Sequence, residues 1–164
     1  MKTVSAEFLA GLVTRAADHD RGRINHNLHT SLQDPIQRFF NILEPGSYVR
    51  PHRHTDPPRW EVFVGLAGRA AVLEFDHRGR AIRRCDISPR GPDIAVEITA
   101  GSWHTVTALA SGTELFALKP GPYSPVSDMD FAAWAPPEED TDRELFVRWF
   151  AEAEPGDEPP MGQP

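Results

Sequence analysis

Apolar residues recur at helical spacing near the start of the chain. Phe8, Leu9, Leu12, Val13 and Ala16 fall on one face and Ser5 is placed to cap the first turn, which predicts a helix over residues 5–17. A polar stretch, DHDRGRINHNLHTSLQDP, follows at 18–35 with no apolar period. Structureless segments of this length are uncommon in compact domains, so it is expected to be a functional loop flanking a pocket. From residue 36 to about 119 the pattern shortens to β-favouring runs: IQRFFNIL, SYVR, WEVFVGL, RAAVLEF, AIRRC, IAVEIT, WHTVTAL and TELFALK. Turn signals separate them, among them EPG, DPP, DHRG, SPRGPD, TAGS and ASG. Further on, Leu145, Phe146, Trp149 and Phe150 form one apolar helical stripe.

Eight short strands at this spacing predict an all-β sandwich or closed barrel, in which no long strand edge is left open. The chain divides into an N-terminal helix and pocket-flanking loop (1–35), a β-barrel (36–125), a C-terminal segment with a helix (126–152) and an acidic Pro/Gly-rich tail (153–164) expected to be disordered. At 164 residues this is one domain, long enough to bury a core without disulfides. Cys85 is the single cysteine, so no intrachain disulfide can form; a reducing, cytoplasmic setting is expected, with Cys85 as a small buried hydrophobe. The opening stretch resembles a signal peptide only briefly, because Glu7 and Arg15 interrupt its apolar run. No run approaches membrane-spanning length. A net charge of −7 argues against nucleic acid as a partner, which would need a basic footprint.

The chemistry concentrates in PHRHTDPPRWE at 51–61. Residues i and i+2 of an extended chain share a face, so His52 and His54 project together. Glu61 opens the next run after a turn through Pro57 and Pro58, and an antiparallel return brings its carboxylate back beside them. His104 lies in WHTVTAL, directly after the turn TAGS. Three imidazoles and a carboxylate suit one divalent transition-metal ion (Fe, Mn, Ni, Co, Cu or Zn) and leave positions for water or substrate.

These residues resemble the cupin superfamily. Gly46, His52, His54, Glu61 and Gly68 follow its first motif in order, and Gly101 and His104 its second, with Thr99 and Ala108 standing where the usual proline and asparagine would be. A narrower resemblance rests on NLHTSLQDPIQRFFNILEPGSYVRPHRH, the six-residue gap TDPPRW before Glu61, FDHRG, WHTV, LKPGPYSP and WAPPE. Together these are similar to the WbuC family of cupin metalloproteins, in which the long gap is typical. The resemblance implies a single metal-binding cupin barrel, a jelly-roll double-stranded β-helix. It also implies an association with gene clusters for surface polysaccharides. Asn27, His29, Asp34, Gln37 and Arg38 match the family's N-terminal signature.

Other residues carry weaker expectations. Arg38 either enters the barrel to bind a substrate carboxylate or phosphate, or pairs with Asp34. His29 and Asn27 are candidates for the pocket mouth. Tyr48 shares the parity of His52 and is a candidate hydrogen-bond donor or acid in the pocket. Arg50 and Arg53 should face away, while Lys119 and Tyr123 close the barrel end structurally. Trp60, Trp103 and Trp134 are expected as core or rim aromatics. Three functions compete: a metal-dependent enzyme of isomerase or epimerase type on a small sugar-like substrate, a non-haem iron dioxygenase, and a non-catalytic metabolite-binding module. A homodimer is a further expectation for such folds.

Overall fold

The structure is a computed structural model, and it describes residues 1–160. Helix α1 spans Ala6–Ala17, and Ser5 caps it by accepting from the Phe8 N–H at 3.1 Å. Eight strands follow: β1 (Arg23–Asn27), β2 (Ile36–Leu43), β3 (Glu61–Ala67), β4 (Ala70–Phe75), β5 (Ala81–Ile87), β6 (Ala95–Ile98), β7 (Trp103–Ala108) and β8 (Thr113–Pro120). A short 3-10 turn (Asp128–Asp130) precedes helix α2, Arg143–Glu152. The strands form a five-stranded sheet, β1-β2-β8-β3-β6, and a three-stranded sheet, β5-β4-β7, all with antiparallel pairing.

The two sheets face each other across one core. Phe39, Leu43, Phe63 and Leu115 from the larger sheet meet Val72, Ile87 and Val106 from the smaller. Each helix covers an outer face. Leu12 and Ala16 of α1 pack on Phe40 and Ile42 of β2, while Phe146 and Phe150 of α2 pack with Leu73 and Phe75 of β4. Each phenylalanine buried on α2 contributes roughly 1.5–3 kcal/mol through the area removed from water. Leu145, from the same predicted stripe, is exposed. Cys85 is partly buried against the barrel core. No helix among the described residues is long and apolar enough to cross a membrane.

Three expectations are corrected. The polar segment 18–35 is not all loop, because Arg23–Asn27 forms the edge strand β1 on β2. SYVR is not a strand: Tyr48 and Val49 are buried on different clusters, but the segment joins neither sheet as a ladder. The tail is fastened as far as it is described. The Ala81 N–H donates to the Asp157 carbonyl at 2.9 Å, the Gly156 N–H returns to the Ala81 carbonyl at 2.8 Å, and Arg80 pairs with Glu158. Residues 161–164 of that predicted tail lie outside the described residues.

Candidate metal centre

His52, His54, Glu61 and His104 come together with their ligand atoms all within 4.8 Å of one another. Glu61 begins β3 and His104 lies in β7, so the two sheets each supply one ligand. His52 is tied to His104 by a reciprocal backbone pair, with N–H to carbonyl distances of 3.0 and 2.9 Å. The loop that carries His52 and His54 is clamped from outside by Asp130. Its carbonyl accepts from the Arg53 N–H at 2.9 Å, and its carboxylate takes Thr55 Oγ1 at 2.7 Å and Arg53 Nε at 3.2 Å. No sequence motif marked Asp130. Those bonds outweigh the cost of its burial and hold its carboxyl below the usual range.

The protonation pattern favours a cation at the centre. His52 Nδ1 lies 3.0 Å from the Arg50 carbonyl and His104 Nδ1 lies 2.8 Å from the Ser102 carbonyl. A carbonyl only accepts, so both Nδ1 atoms carry a proton, and the neutral form of each ring presents its Nε2 lone pair. The Nε2 atoms of His54 and His104 are buried with no hydrogen-bond partner among the described residues, 3.4 and 3.5 Å from Glu61 Oε2. A lone pair on His104 Nε2 that faces a carboxylate is repelled by it unless a cation sits between them. Burial, reinforced by His104, holds His52 well below its ordinary pKa, so it stays neutral. Burial alone would raise the Glu61 carboxyl, but the Lys119 ammonium, 3.7 Å away, works against it, and Glu61 is held well below the carboxylate range. The donor set therefore fits a divalent metal ion, and it points to one.

The cluster opens onto a cavity of about 140 Å³ lined in part by Arg23, Asn25, Asn41, Phe63 and Lys119. An outer chamber of about 380 Å³ shares Asn25, Phe39 and Lys119 with it and adds Asn27, His29, Gln37 and Tyr123. Lys119 Nζ lies 3.7 Å from Glu61 Oε1, so this residue belongs to the site rather than to a structural cap. Along β8 it alternates with Leu115 and Ala117, both buried in the core, and so shares their inward face.

His29 and Asn27 do line the outer chamber. Arg38 does not enter the barrel; it lies on the outer face of β2 with Phe40 and Ile42 and pairs with Asp34 at 2.9 Å. The neighbouring residue, Gln37, faces inward instead. Tyr48 is also corrected. Its hydroxyl donates to the Pro136 carbonyl at 2.8 Å, its ring stacks on Phe150, and burial pushes the phenol pKa up. Arg50 turns to the Ala132 and Ala135 carbonyls, and Arg53 covers the Trp103 ring at 4.4 Å. Trp134 packs among Phe75 and Phe146.

A family model described as "Domain of unknown function (DUF6016)" matches residues 4–87, just over half of the chain. The chain belongs to that family. Among solved structures, TT1209 from Thermus thermophilus aligns at 16% identity and a TM-score of 0.53, over 73% of this chain and 97% of that one. CapF, crystallised with the inhibitor 3-isopropenyl-tropolone, aligns at 19% identity and a TM-score of 0.53, over 65% of this chain and only 30% of that one. A cupin superfamily protein from Desulfitobacterium hafniense DCB-2 aligns at 15% identity and a TM-score of 0.46, over 60% of this chain and 76% of that one. No curated protein matches. Two facing antiparallel sheets, with histidines and a glutamate gathered between them, make this family member a cupin in fold.

Proposed function

We propose that the protein is a divalent-metal-dependent enzyme of WbuC type, acting in the cytoplasm on a small polar, sugar-derived substrate of surface-polysaccharide synthesis. One observation carries the metal: the buried, unpartnered Nε2 atoms of His54 and His104 aimed at Glu61. His52, His54, Glu61 and His104 would hold the ion, which when bound supplies a Lewis acid for a carbonyl or hydroxyl oxygen. The chain's own residues do the rest. Lys119 offers an ammonium beside Glu61, where it can hold a substrate oxygen and donate a proton to it. Phe39, Val49, Phe63 and Val106 give the inner cavity apolar walls that limit water around that transfer. The outer chamber falls in the ~300–1,000 Å³ range of small-molecule sites.

The first test is elemental analysis of natively purified protein and of His104→Ala. Bound metal in the variant should fall to about a tenth of wild type or less, and full occupancy there would falsify the ligand set. The second test follows sugar-phosphate and sugar-acid panels by NMR. Lys119→Met should keep its metal and lose turnover. Thermal shifts with ligand but no product in wild type would replace the enzyme by a binding module.

A further inference from the structure

The inner face of β1 holds side chains the metal centre does not use. Arg23, Asn25 and Asn27 alternate along the strand and line the cavities, while Ile24 packs outward against the α1 cluster. Register sets Asn25 opposite Asn41 and Asn27 opposite Phe39 on β2. Gln37 and His29 continue the same wall into the outer chamber.

Three buried atoms of this wall have no hydrogen-bond partner among the described residues: Arg23 Nη1, Gln37 Oε1 and His29 Nε2. In each case the rest of the group is already engaged. Arg23 Nη2 lies 2.9 Å from both Glu138 oxygens, the Gln37 amide nitrogen donates to the Leu32 and Asp34 carbonyls, and His29 Nδ1 meets the Arg38 backbone. Each side chain is therefore fixed while one polar atom stays free, and buried polar atoms without partners are a small minority in folded proteins. Together they offer a charged donor, an acceptor and an imidazole nitrogen in one wall.

We propose that this wall recognises a polyhydroxylated monocarboxylate. Arg23 Nη1 takes the carboxylate, the amides of Asn25, Asn27 and Asn41 take hydroxyls, and Gln37 Oε1 accepts from one more. An amide side chain offers both donors and an acceptor, which matches a hydroxyl group. Glu138 offsets part of the Arg23 charge, so the wall suits a single negative charge rather than a phosphate dianion. The proposal rests on the reading that the barrel interior is the substrate site, but not on which metal is bound.

Calorimetry with D-gluconate, D-sorbitol and propionate, on metal-loaded and on chelated protein, tests it. Wild type should bind gluconate at least about tenfold more tightly than the neutral polyol or the plain acid. Arg23→Met should bring gluconate down to the level of sorbitol. Asn25→Leu, at an exposed position where folding is not at risk, should weaken gluconate and sorbitol together and leave propionate unchanged. Both variants should keep wild-type metal content, so lost selectivity is not lost metal. Equal affinity for gluconate and sorbitol in wild type, selectivity surviving in Arg23→Met, or no binding of any probe at roughly millimolar concentration would each overturn the wall. A wild-type protein that takes up no metal yet prefers gluconate would instead sink the enzyme reading and leave the wall standing.

Discussion

Glu138 is held by two guanidinium groups, Arg21 at 2.5 Å and Arg23 at 2.9 Å, and so fixes the residue that borders the inner cavity. Burial alone would raise its carboxyl, but the hydrogen bonds and charges of the two arginines outweigh this and hold it below its ordinary value of 4.5. A depressed folded-state pKa contributes stability above the unfolded value, and that contribution is lost as pH falls through the folded one. Glu138→Gln should therefore lower the unfolding free energy at neutral pH by about 1 kcal/mol or less, as for a partly exposed pair. The gap from wild type should close as acidification carries the pH below that ordinary value of 4.5 and through the depressed folded one; a gap unchanged in acid would show that the loss is packing rather than charge. At this scale the clustering of His52, His54, Glu61 and His104 was legible, because residue type and spacing carry it. Lys119 and Arg38 were not. Both faces of TELFALK and of IQRFF bear apolar side chains, so alternation alone could not say which face turned inward.

Among the elements, the β4–β5 hairpin and α2 form one aromatic layer in which Phe75, Trp134, Phe146 and Phe150 touch in succession. The hairpin turns on Gly79, whose φ is +90°, and a Cβ there would stand 2.6 Å from Trp134 Cδ2. Gly79→Ala combines a left-handed backbone with a steric clash against a ring, so it should cost about 1–3 kcal/mol. A denaturant midpoint indistinguishable from wild type would mean that the ring moves aside freely. Seven of the eight runs expected as strands are strands, because their apolar residues lie on a sheet face as the pattern required. RINHN was missed for the opposite reason. Its inner face is built of an arginine and two amides bordering a polar cavity, so it carries no apolar alternation to read. SYVR has the alternation, with Tyr48 turned toward α2 and Val49 toward the barrel, but it has no neighbouring strand to pair with. Composition suggested a loose tail, yet the described part is held by backbone bonds to Ala81, an acceptor and donor pair that side-chain character does not reveal.

Across the whole molecule, the larger sheet contributes Glu61 and the smaller contributes His104, with His52 bridged to His104 at the junction. A divalent ion held by all four ligands adds its binding energy to folding, about 2.7 kcal/mol at a hundredfold excess over Kd. Metal loading should accordingly raise the melting temperature of wild type and leave His54→Ala nearly unmoved; equal shifts in both proteins would place the binding elsewhere. The placement of Glu61 and His104 on opposite sheets has a mechanical side as well. An ion there acts as a rivet through the seam of the barrel, so the stripped protein should breathe along that line. Amide hydrogens of Glu61 and His104 should then exchange faster without metal, while those buried beneath the helices keep their protection.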